Sequence, residues 1–358
     1  MKFWPLFFLL VLVHFSCSEE QPIVEVTNPV NESGSMTLSG LDLSALPEIE
    51  ASGITFFDEQ EIARDFLDMA KASGVNMIRL RLWVDPATEH SSYEEVLTYT
   101  QTLKEKGFGV WLCLHYSDSW ADPGQQNTPA AWAQLSYEEL RDTLYSYTNN
   151  VVSNIQPDMV QVGNEINTGI LHPIGHIDNL SAFRGLLQAG IEGVRDWNAD
   201  IPIMLHYAGY SGATYFYEQM VGLDYDQIGL SYYPKFHGMD ITLLRSTLDE
   251  LSTIHQKDMV IAETAYPFTL GWNDYTNNIV GLEEQLLPGY EASPSGQLAF
   301  IQLMKDMILS TEGGLGICYW GAELIAWKGP EATDGSPWEN QAVFDFDRKK
   351  LPVLDEFK

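Results

Sequence analysis

The stretch VQVGNEINTG, residues 160–169, joins a short run of strand-forming residues to a polar ending. Val160 and Val162 alternate as they would in a strand, and Asn164 and Glu165 then place an amide beside a carboxylate. Glu165 is therefore either a strand-end charge that faces solvent or a catalytic acid held at the rim of a barrel. The rest of the sequence distinguishes these two interpretations.

Strand-like runs of this kind alternate with segments of helical periodicity along the chain. The runs are residues 39–43, 76–84, 109–117, 158–166, 202–208, 227–233, 259–266 and 315–321. Helical spacing occurs in residues 61–72, 137–152, 182–197 and 297–309, and the first of these segments aligns Ile62, Phe66, Met69 and Ala70 on one face. Eight alternations predict an α/β fold, a single-domain (β/α)8 TIM barrel. The alternative is an open doubly wound sheet, but the Gly-rich phosphate turn that such a sheet normally carries after its first strand is missing after residue 43.

The N-terminus has the features of an export signal. Lys2 precedes an apolar run, residues 3–13, that is too short to span a membrane permanently. The segment 1–17 ends at Cys17 and resembles a bacterial lipoprotein signal, which implies a lipid anchor on Cys17; an ordinary secretory signal is the alternative. The acidic residues after Cys17 resemble a surface-export tag, so we expect an extracytoplasmic protein on the outer-membrane surface of a Gram-negative bacterium. Residues 18–36 are rich in Glu, Pro, Asn and Ser and predict a flexible tether, and residues 37–358 are predicted to form one catalytic domain.

Charge and cysteine content exclude several classes of function. Fifty acidic residues against 19 basic residues give a formal net charge of −31, which excludes a general nucleic-acid binder and argues against a polyanionic substrate. A neutral substrate is unaffected by this field. Cys113 and Cys318 lie inside strand-like runs and are predicted to be buried thiols rather than a disulfide. We expect a monomer.

Polar and aromatic residues gather where the predicted strands end. In a parallel barrel these ends meet at one rim, which is where barrel enzymes build their active sites. Glu165 and Glu263 each follow an apolar run directly. Hydrolysis of a glycosidic bond requires one protonated carboxyl group and one carboxylate, and a separation of ~5–5.5 Å leads to retention of configuration. Either glutamate alone is more often a salt-bridge partner, but the matched contexts favour catalysis.

Ordered motifs extend this interpretation to a family resemblance. GNEIN and AET resemble the acid/base and nucleophile motifs of a large clan of retaining (β/α)8 glycoside hydrolases. The motifs IRLRLWVDP, GVWLCLHYSDSWADPGQQNTPAAW, VQVGNEINTGILHP, IGLSYYP, VIAETAYPFT and GSPWENQAVFDF resemble glycoside hydrolase family 53, the endo-β-1,4-galactanases, over about residues 39–346. The resemblance implies that Glu165 is the acid/base and Glu263 the nucleophile. It also implies a neutral β-1,4-galactan substrate, the galactan side chains of pectin, and chemistry that requires no cofactor.

Residues near the two glutamates acquire supporting roles, each for a separate physical reason. Asn164 is expected to bind the sugar hydroxyl next to the anomeric carbon, with a backbone-capping role as the alternative. One of Arg79 and Arg81, and one of Tyr232 and Tyr233, would keep Glu263 ionised, because a cation and a phenol lower the pKa of a carboxylate. Since consecutive strand residues face opposite sides, we expect one member of each pair to point inward, with Arg79 and Tyr232 preferred. Two further residues have either a structural role or a role as hydroxyl or carboxylate partners: His115 and His206.

The substrate and metal predictions come from the loops. The segment Asp118, Ser119, Trp120 and Ala121 would line the sugar subsites, and Trp320 would form the floor of the catalytic subsite; Trp83 is a further stacking candidate, with a core role as the alternative. The resemblance also implies a structural Ca²⁺ between two loops, with candidate ligands Asp274, Asn277 and Ser336. Two rival functions remain open, another retaining endoglycanase such as a β-mannanase and a non-catalytic glycan-binding lipoprotein.

Overall fold

Eight parallel strands close into a barrel, as the alternating pattern predicts. The computed structural model describes Met1 and residues 35–358; the predicted signal, Cys17 and the tether up to residue 34 lie outside the described part. Strand β1 pairs with both β2 and β8, and this closes the ring. The strands are β1 Leu38–Asp42, β2 Met77–Leu82, β3 Gly109–Leu114, β4 Met159–Val162, β5 Ile203–Ala208, β6 Gln227–Ser231, β7 Asp258–Thr264 and β8 Gly314–Tyr319.

Helices follow the strands and cover the barrel. They are α1 Leu46–Ala51, α2 Phe66–Ala72, α3 Tyr93–Glu105, α4 Tyr137–Ile155, α5 Leu180–Trp197, α6 Ala213–Gln219, α7 Pro234–His237, α8 Ile241–His255 and α9 Pro294–Leu309. The predicted segments 137–152, 182–197 and 297–309 fall on α4, α5 and α9. No described helix is long and apolar enough to cross a membrane.

The segment 61–72 departs from its prediction at its N-terminal half. Helix α2 begins only at Phe66, because Asp65 caps it by accepting a hydrogen bond from the backbone N–H of Asp68. Ala63–Arg64 instead pairs antiparallel with Phe56–Phe57, and Ile62 is 50% exposed. The prediction that Ile62 lies on the buried helical face was wrong.

The barrel interior changes from apolar to polar along the strands. The layer nearer the N-terminal ends of the strands is a cluster of buried residues that includes Trp111, Met159 and Met204. Two residues further along the same strands, Cys113, Gln161 and His206 form part of a buried polar layer. Alternate residues of a strand face the same side, so this layer leads directly to the rim. Cys113 and Cys318 are buried free thiols, as predicted.

Strand β7 contains an irregularity that aims Glu263 into the barrel. Leu230 of β6 pairs with Ile261, but the next residue, Ser231, pairs with Glu263, so Ala262 is an extra residue in β7. Ala262 packs in the inner apolar cluster, and Glu263 also faces inward, toward Arg79. Bulges of this kind re-aim side chains next to active sites.

Candidate active site

A cleft of about 1000 Å³ opens at the C-terminal ends of the strands. It brings together most of the residues that the sequence predicts for the site. Those that line it are Arg79, Arg81, Trp83, His115, Trp120, Ala121, Asn164, Glu165, Tyr233, Glu263, Trp320 and Ser336. The rim prediction therefore locates the cleft correctly.

Glu165 is held in an uncommon backbone conformation three residues after the end of β4. Its φ of 44° and ψ of 56° lie in the left-handed region, and the preceding Gly163 also has a positive φ, of 84°. Oε1 of Glu165 accepts a 2.6 Å hydrogen bond from Ser231 Oγ, and its backbone N–H donates to His206 Nδ1 at 3.3 Å. These contacts fix a side chain that the turn alone would leave free to rotate.

Glu263 has a different environment, because it contacts a cation and a phenol. Its Oε1 forms an ion pair of 2.8 Å with Arg79 Nη2, and its Oε2 accepts a hydrogen bond of 3.2 Å from Tyr233. Arg79 also donates to Asp42 Oδ2 and to Asn164 Oδ1, each at 2.7 Å. Arg79 therefore links the carboxylate of Glu263 to the amide beside Glu165.

The two environments separate the proton affinities of the glutamates. Burial, followed by the charge of Glu263, raises the pKa of Glu165 to about 8. Burial also raises the pKa of Glu263, but Arg79 and Tyr233 act in the opposite direction. Carboxyl oxygens of both residues and a ring nitrogen of His206 lie within 4.8 Å of one another. A proton shared by the pair is therefore favoured on Glu165, because Glu165 lacks the ion pair with Arg79.

The tyrosine preference derived from the sequence was wrong. Tyr233, not Tyr232, reaches Glu263, whereas the Tyr232 hydroxyl donates to the backbone oxygen of Gly238 at 3.0 Å. Tyr233 lies two residues after the inward-facing Ser231, and Tyr232 lies two residues after the outward-facing Leu230. Residues two apart along a strand face the same side.

The arginine expectation also requires correction. Arg79 contacts Glu263, as preferred, but Arg79 and Arg81 are two residues apart on the same strand and both line the cleft. The expectation that only one of them points inward was therefore wrong, because residues two apart share a face.

The two histidines are buried and neutral, and each organises neighbouring groups. Burial lowers the pKa of both His115 and His206 well below the usual value. His115 Nδ1 accepts from the backbone N–H of Ala121 at 3.1 Å. His206 Nδ1 accepts from the Gln161 amide at 2.9 Å, so Nε2 donates to Ser231 Oγ, also at 2.9 Å. With both nitrogens of His206 in use, the cluster with the two glutamates does not resemble a metal site.

The loop after β3 only partly meets its prediction. Trp120 is 41% exposed in the cleft, with its ring centre 6.0 Å from that of Trp320 and 5.5 Å from that of Trp83. Ala121 contributes its backbone oxygen, which accepts from the Asn164 amide at 2.8 Å. Asp118 and Ser119 do not line the cleft. The Asp118 carboxylate instead accepts backbone hydrogen bonds from Asp85 and Ala130, so it ties two loops together rather than facing a sugar.

Comparisons with known proteins agree with this geometry. The profile described as "Glycosyl hydrolase family 53" matches residues 38–357. The chain belongs to glycosyl hydrolase family 53. It is 34% identical over 343 residues to a Cellvibrio japonicus protein named arabinogalactan endo-beta-1,4-galactanase, with 89% of this chain and 90% of the relative covered. It is 31% identical to arabinogalactan endo-beta-1,4-galactanase A of Aspergillus niger, with 92% and 96% covered. A solved structure, the family 53 catalytic domain from Ignisphaera aggregans, superposes with a TM-score of 0.86 at 39% identity and covers 92% of this chain and 98% of that chain.

Three buried residues of this family 53 site escaped the sequence predictions. Asp42 ends β1 and pairs with Arg79, Gln161 donates to Asn164 and His206, and Ser231 holds Glu165. Each is a polar residue two positions from another inward-facing residue of its strand. Strand parity was therefore the signal that would have identified them.

The loops after β7 and β8 offer oxygen atoms for a cation, but they match only part of the predicted ligand set. Asp274 Oδ2 and Glu339 Oε2 are buried and lack a hydrogen-bond partner within the described residues, and the charge of Asp274 contributes to the raised pKa of Glu339. Oxygen atoms of this type are the ligands that Ca²⁺ prefers. Of the predicted ligands, Asp274 suits the site, whereas Asn277 is exposed and Ser336 Oγ accepts from the backbone N–H of Trp338.

Proposed function

We propose that this chain is a retaining endo-β-1,4-galactanase that cleaves the galactan side chains of pectin. The observation that carries the proposal is the pair Glu165 and Glu263, two carboxyl groups with different environments and oxygens within 4.8 Å. Inverting glycosidases require a separation of about 6.5–9.5 Å to admit a water molecule between the carboxyl groups. The shorter separation favours direct attack by one carboxylate and hence retention.

The mechanism follows from the proton distribution. Glu263, ionised and held by Arg79 and Tyr233, attacks the anomeric carbon, while Glu165 donates its proton to the departing glycosidic oxygen. Because Glu165 Oε1 accepts from Ser231, its proton is carried on Oε2, the oxygen left for the substrate. Glu165 then removes a proton from water, which releases the sugar from Glu263 with its original configuration.

Substrate choice rests on charge and on the relatives. The net charge of −31 disfavours an acidic polymer and leaves a neutral galactan unaffected. The Cellvibrio and Aspergillus relatives bear the name of a galactanase that acts on arabinogalactan. A β-mannanase would use the same glutamate pair, and a non-catalytic glycan-binding protein would have no need for the unequal proton affinities of Glu165 and Glu263.

The deciding experiment is hydrolysis of polymeric β-1,4-galactan, followed by analysis of product size and anomer. Early products of intermediate length with the β anomer formed first are expected. Glu165→Gln and Glu263→Gln should each reduce hydrolysis by at least about 10³-fold, because each removes a covalent or proton-transfer role. Cleavage of β-mannan but not of galactan would overturn the substrate assignment, and unchanged hydrolysis by both variants would overturn the catalytic assignment.

Three further properties belong to the same proposal. The protein is exported and anchored at the outer-membrane surface through lipid chains on Cys17. A Ca²⁺ ion held by Asp274 and Glu339 joins the loops after β7 and β8 and has a structural role only, so the chemistry requires no cofactor. The enzyme acts as a monomer, which size-exclusion chromatography with light scattering tests directly.

A further inference from the structure

Arg81 has hydrogen-bonding capacity that the protein does not use. Its Nε donates to Ser91 Oγ at 2.8 Å, but within residues 35–358 neither terminal nitrogen has an acceptor. The side chain lines the cleft, and its guanidinium lies 4.0 Å from the ring centre of Trp120 and 4.6 Å from that of Trp83. Two indole rings and a hydroxyl thus fix a planar donor group at the wall of the cleft.

Glu323, four residues beyond the end of β8, complements Arg81. It is 1% exposed and lines the same cleft. Its Oε1 accepts from the backbone N–H of Ala45 at 2.9 Å, whereas Oε2 is buried without a partner among the described residues. An unpartnered buried polar atom is costly, so a ligand that satisfies it gains affinity. The mechanism proposed above makes no use of this carboxyl group.

The two groups are neighbours without forming an ion pair. The charge of each affects the pKa of the other, yet they do not approach within the 4.0 Å of a salt bridge. Burial raises the pKa of Glu323 to about 8, which favours the protonated carboxyl group, and a proton on Oε2 makes it a second donor beside Arg81. Both groups line the same cleft, and a hydroxyl oxygen has two lone pairs with which to accept from two donors.

We propose that Arg81 and Glu323 together bind one hydroxyl oxygen of the sugar on the non-reducing side of the cleaved bond. The inference rests on the proposed galactanase function. Glu165, which protonates the departing sugar, follows β4, whereas Glu323 follows β8, the strand opposite β4 in the ring; Arg81 lies on β2, two strands from each of them. The pair therefore addresses the sugar that is attacked or the one before it. A hydroxyl that is displaced or inverted loses both donors, which gives the site selectivity for one sugar epimer.

The experiment measures binding rather than turnover. Galactotriose is titrated calorimetrically into Glu165→Gln, which retains the cleft but not the acid, and into the same protein with Glu323→Ala, Glu323→Gln or Arg81→Met. Glu323→Ala and Arg81→Met should each weaken binding at least 10-fold. Glu323→Gln should remain within about threefold, because its amide still donates, and it also keeps the acceptor for Ala45. The combined Arg81→Met and Glu323→Ala variant should bind no more than about threefold more weakly than the poorer single variant, since both partners serve one oxygen.

Controls separate binding from folding. Glu139→Ala removes a carboxylate that does not line the cleft and that accepts a backbone hydrogen bond from Ser136, and it should leave galactotriose affinity unchanged. If Glu323→Ala lowers the unfolding temperature but binds galactotriose like its parent, Glu323 only holds Ala45 and the inference is wrong. Multiplying effects of the two substitutions would also overturn it, because they would indicate separate ligands. If Glu165→Gln itself binds no galactotriose, the proposed function fails and the inference fails with it.

Discussion

The hydroxyl of Ser231 donates a 2.6 Å hydrogen bond to Oε1 of Glu165 and accepts one of 2.9 Å from His206. This series of hydrogen bonds starts at the neutral imidazole of His206 and ends at Glu165, the carboxyl group that carries the proton. It selects the oxygen of Glu165 that faces the substrate. The series also moderates the pKa, because a donor to Glu165 stabilises its ionised form.

Ser231→Ala is therefore expected to change both the rate and the pH dependence of hydrolysis. Loss of the donor raises the pKa of Glu165, so the alkaline limb of kcat/KM, which reports loss of the Glu165 proton near pH 8, should move to higher pH. We expect kcat to fall about 10-fold, because the side chain is no longer oriented. A pH–rate profile between pH 4 and about pH 10 on galactan checks both effects. A limb that moves to lower pH would contradict this account of the Ser231 bond.

Tyr232 and Tyr233 offer a matched pair of variants. Tyr233→Phe removes the hydrogen bond to Glu263, which raises the pKa of that carboxylate and should shift the acidic limb of kcat/KM to higher pH. Activity at neutral pH should fall about 10-fold. Tyr232→Phe removes only the bond to Gly238, so it should cost about 1 kcal/mol of unfolding free energy and leave the kinetics unchanged. Equal kinetic effects of the two variants would contradict the assignment of Tyr233 to the site.

The tyrosine pair also illustrates what the sequence predicts and what it does not. Eight alternating segments determine the barrel, and the rim rule then locates Glu165 and Glu263, since both depend only on local periodicity. Counting in steps of two along β6 from Ser231 would have selected Tyr233, and the same count along β2 would have placed both Arg79 and Arg81 inside. The same count fails on β7, where Ala262 and Glu263 are consecutive and both face inward because of the bulge. A bulge depends on pairing with β6 and β8, which local periodicity does not report.

The contacts of loop residues are harder to predict from the sequence than the positions of the strands. Asp118 is of a residue type that can bind sugar hydroxyls, yet its carboxylate accepts hydrogen bonds from the backbone N–H groups of Asp85 and Ala130. Glutamate is mostly a surface residue, yet Glu323 is buried in the cleft. Both outcomes depend on the path of loops from different strands. Composition therefore identified the types of residue at the rim but not which of them remain free for a ligand.

Arg79→Met tests whether the buried cation holds the site together. The substitution leaves the carboxyl groups of Asp42 and Glu263 buried without their common partner, and breaking a buried ion pair in this way costs about 3–5 kcal/mol. We expect this loss in urea unfolding at pH 7, together with loss of activity. Adding Glu263→Gln should recover part of the stability but none of the activity. Arg141→Met, which removes exposed ion pairs with Glu138 and Asp142, should change stability by less than about 1 kcal/mol.

Lipidation of Cys17 predicts where the enzyme is found in a Gram-negative host. The full-length chain should incorporate labelled palmitate, fractionate with the outer membrane and be digested by protease added to intact cells. Cys17→Ala should abolish the label and release the catalytic domain, because stable anchoring depends on the attached lipid chains. Ser18→Ala is the matched control and should remain anchored. Export of an unlabelled, unanchored wild-type protein would indicate an ordinary secretory signal instead.

Calcium should stabilise the loops after β7 and β8 without taking part in catalysis. A ligand present at 100 times its Kd adds about 2.7 kcal/mol to the folded state, so the unfolding temperature should rise with added Ca²⁺ and fall with EGTA, while Mg²⁺ has little effect. Asp274→Asn should abolish the response, because it removes the charge of a buried oxygen without a partner. Asp334→Asn changes an exposed acid of the neighbouring loop, paired with Lys328, and should leave the response intact. Unfolding that is insensitive to both Ca²⁺ and EGTA would mean that Asp274 and Glu339 hold no ion.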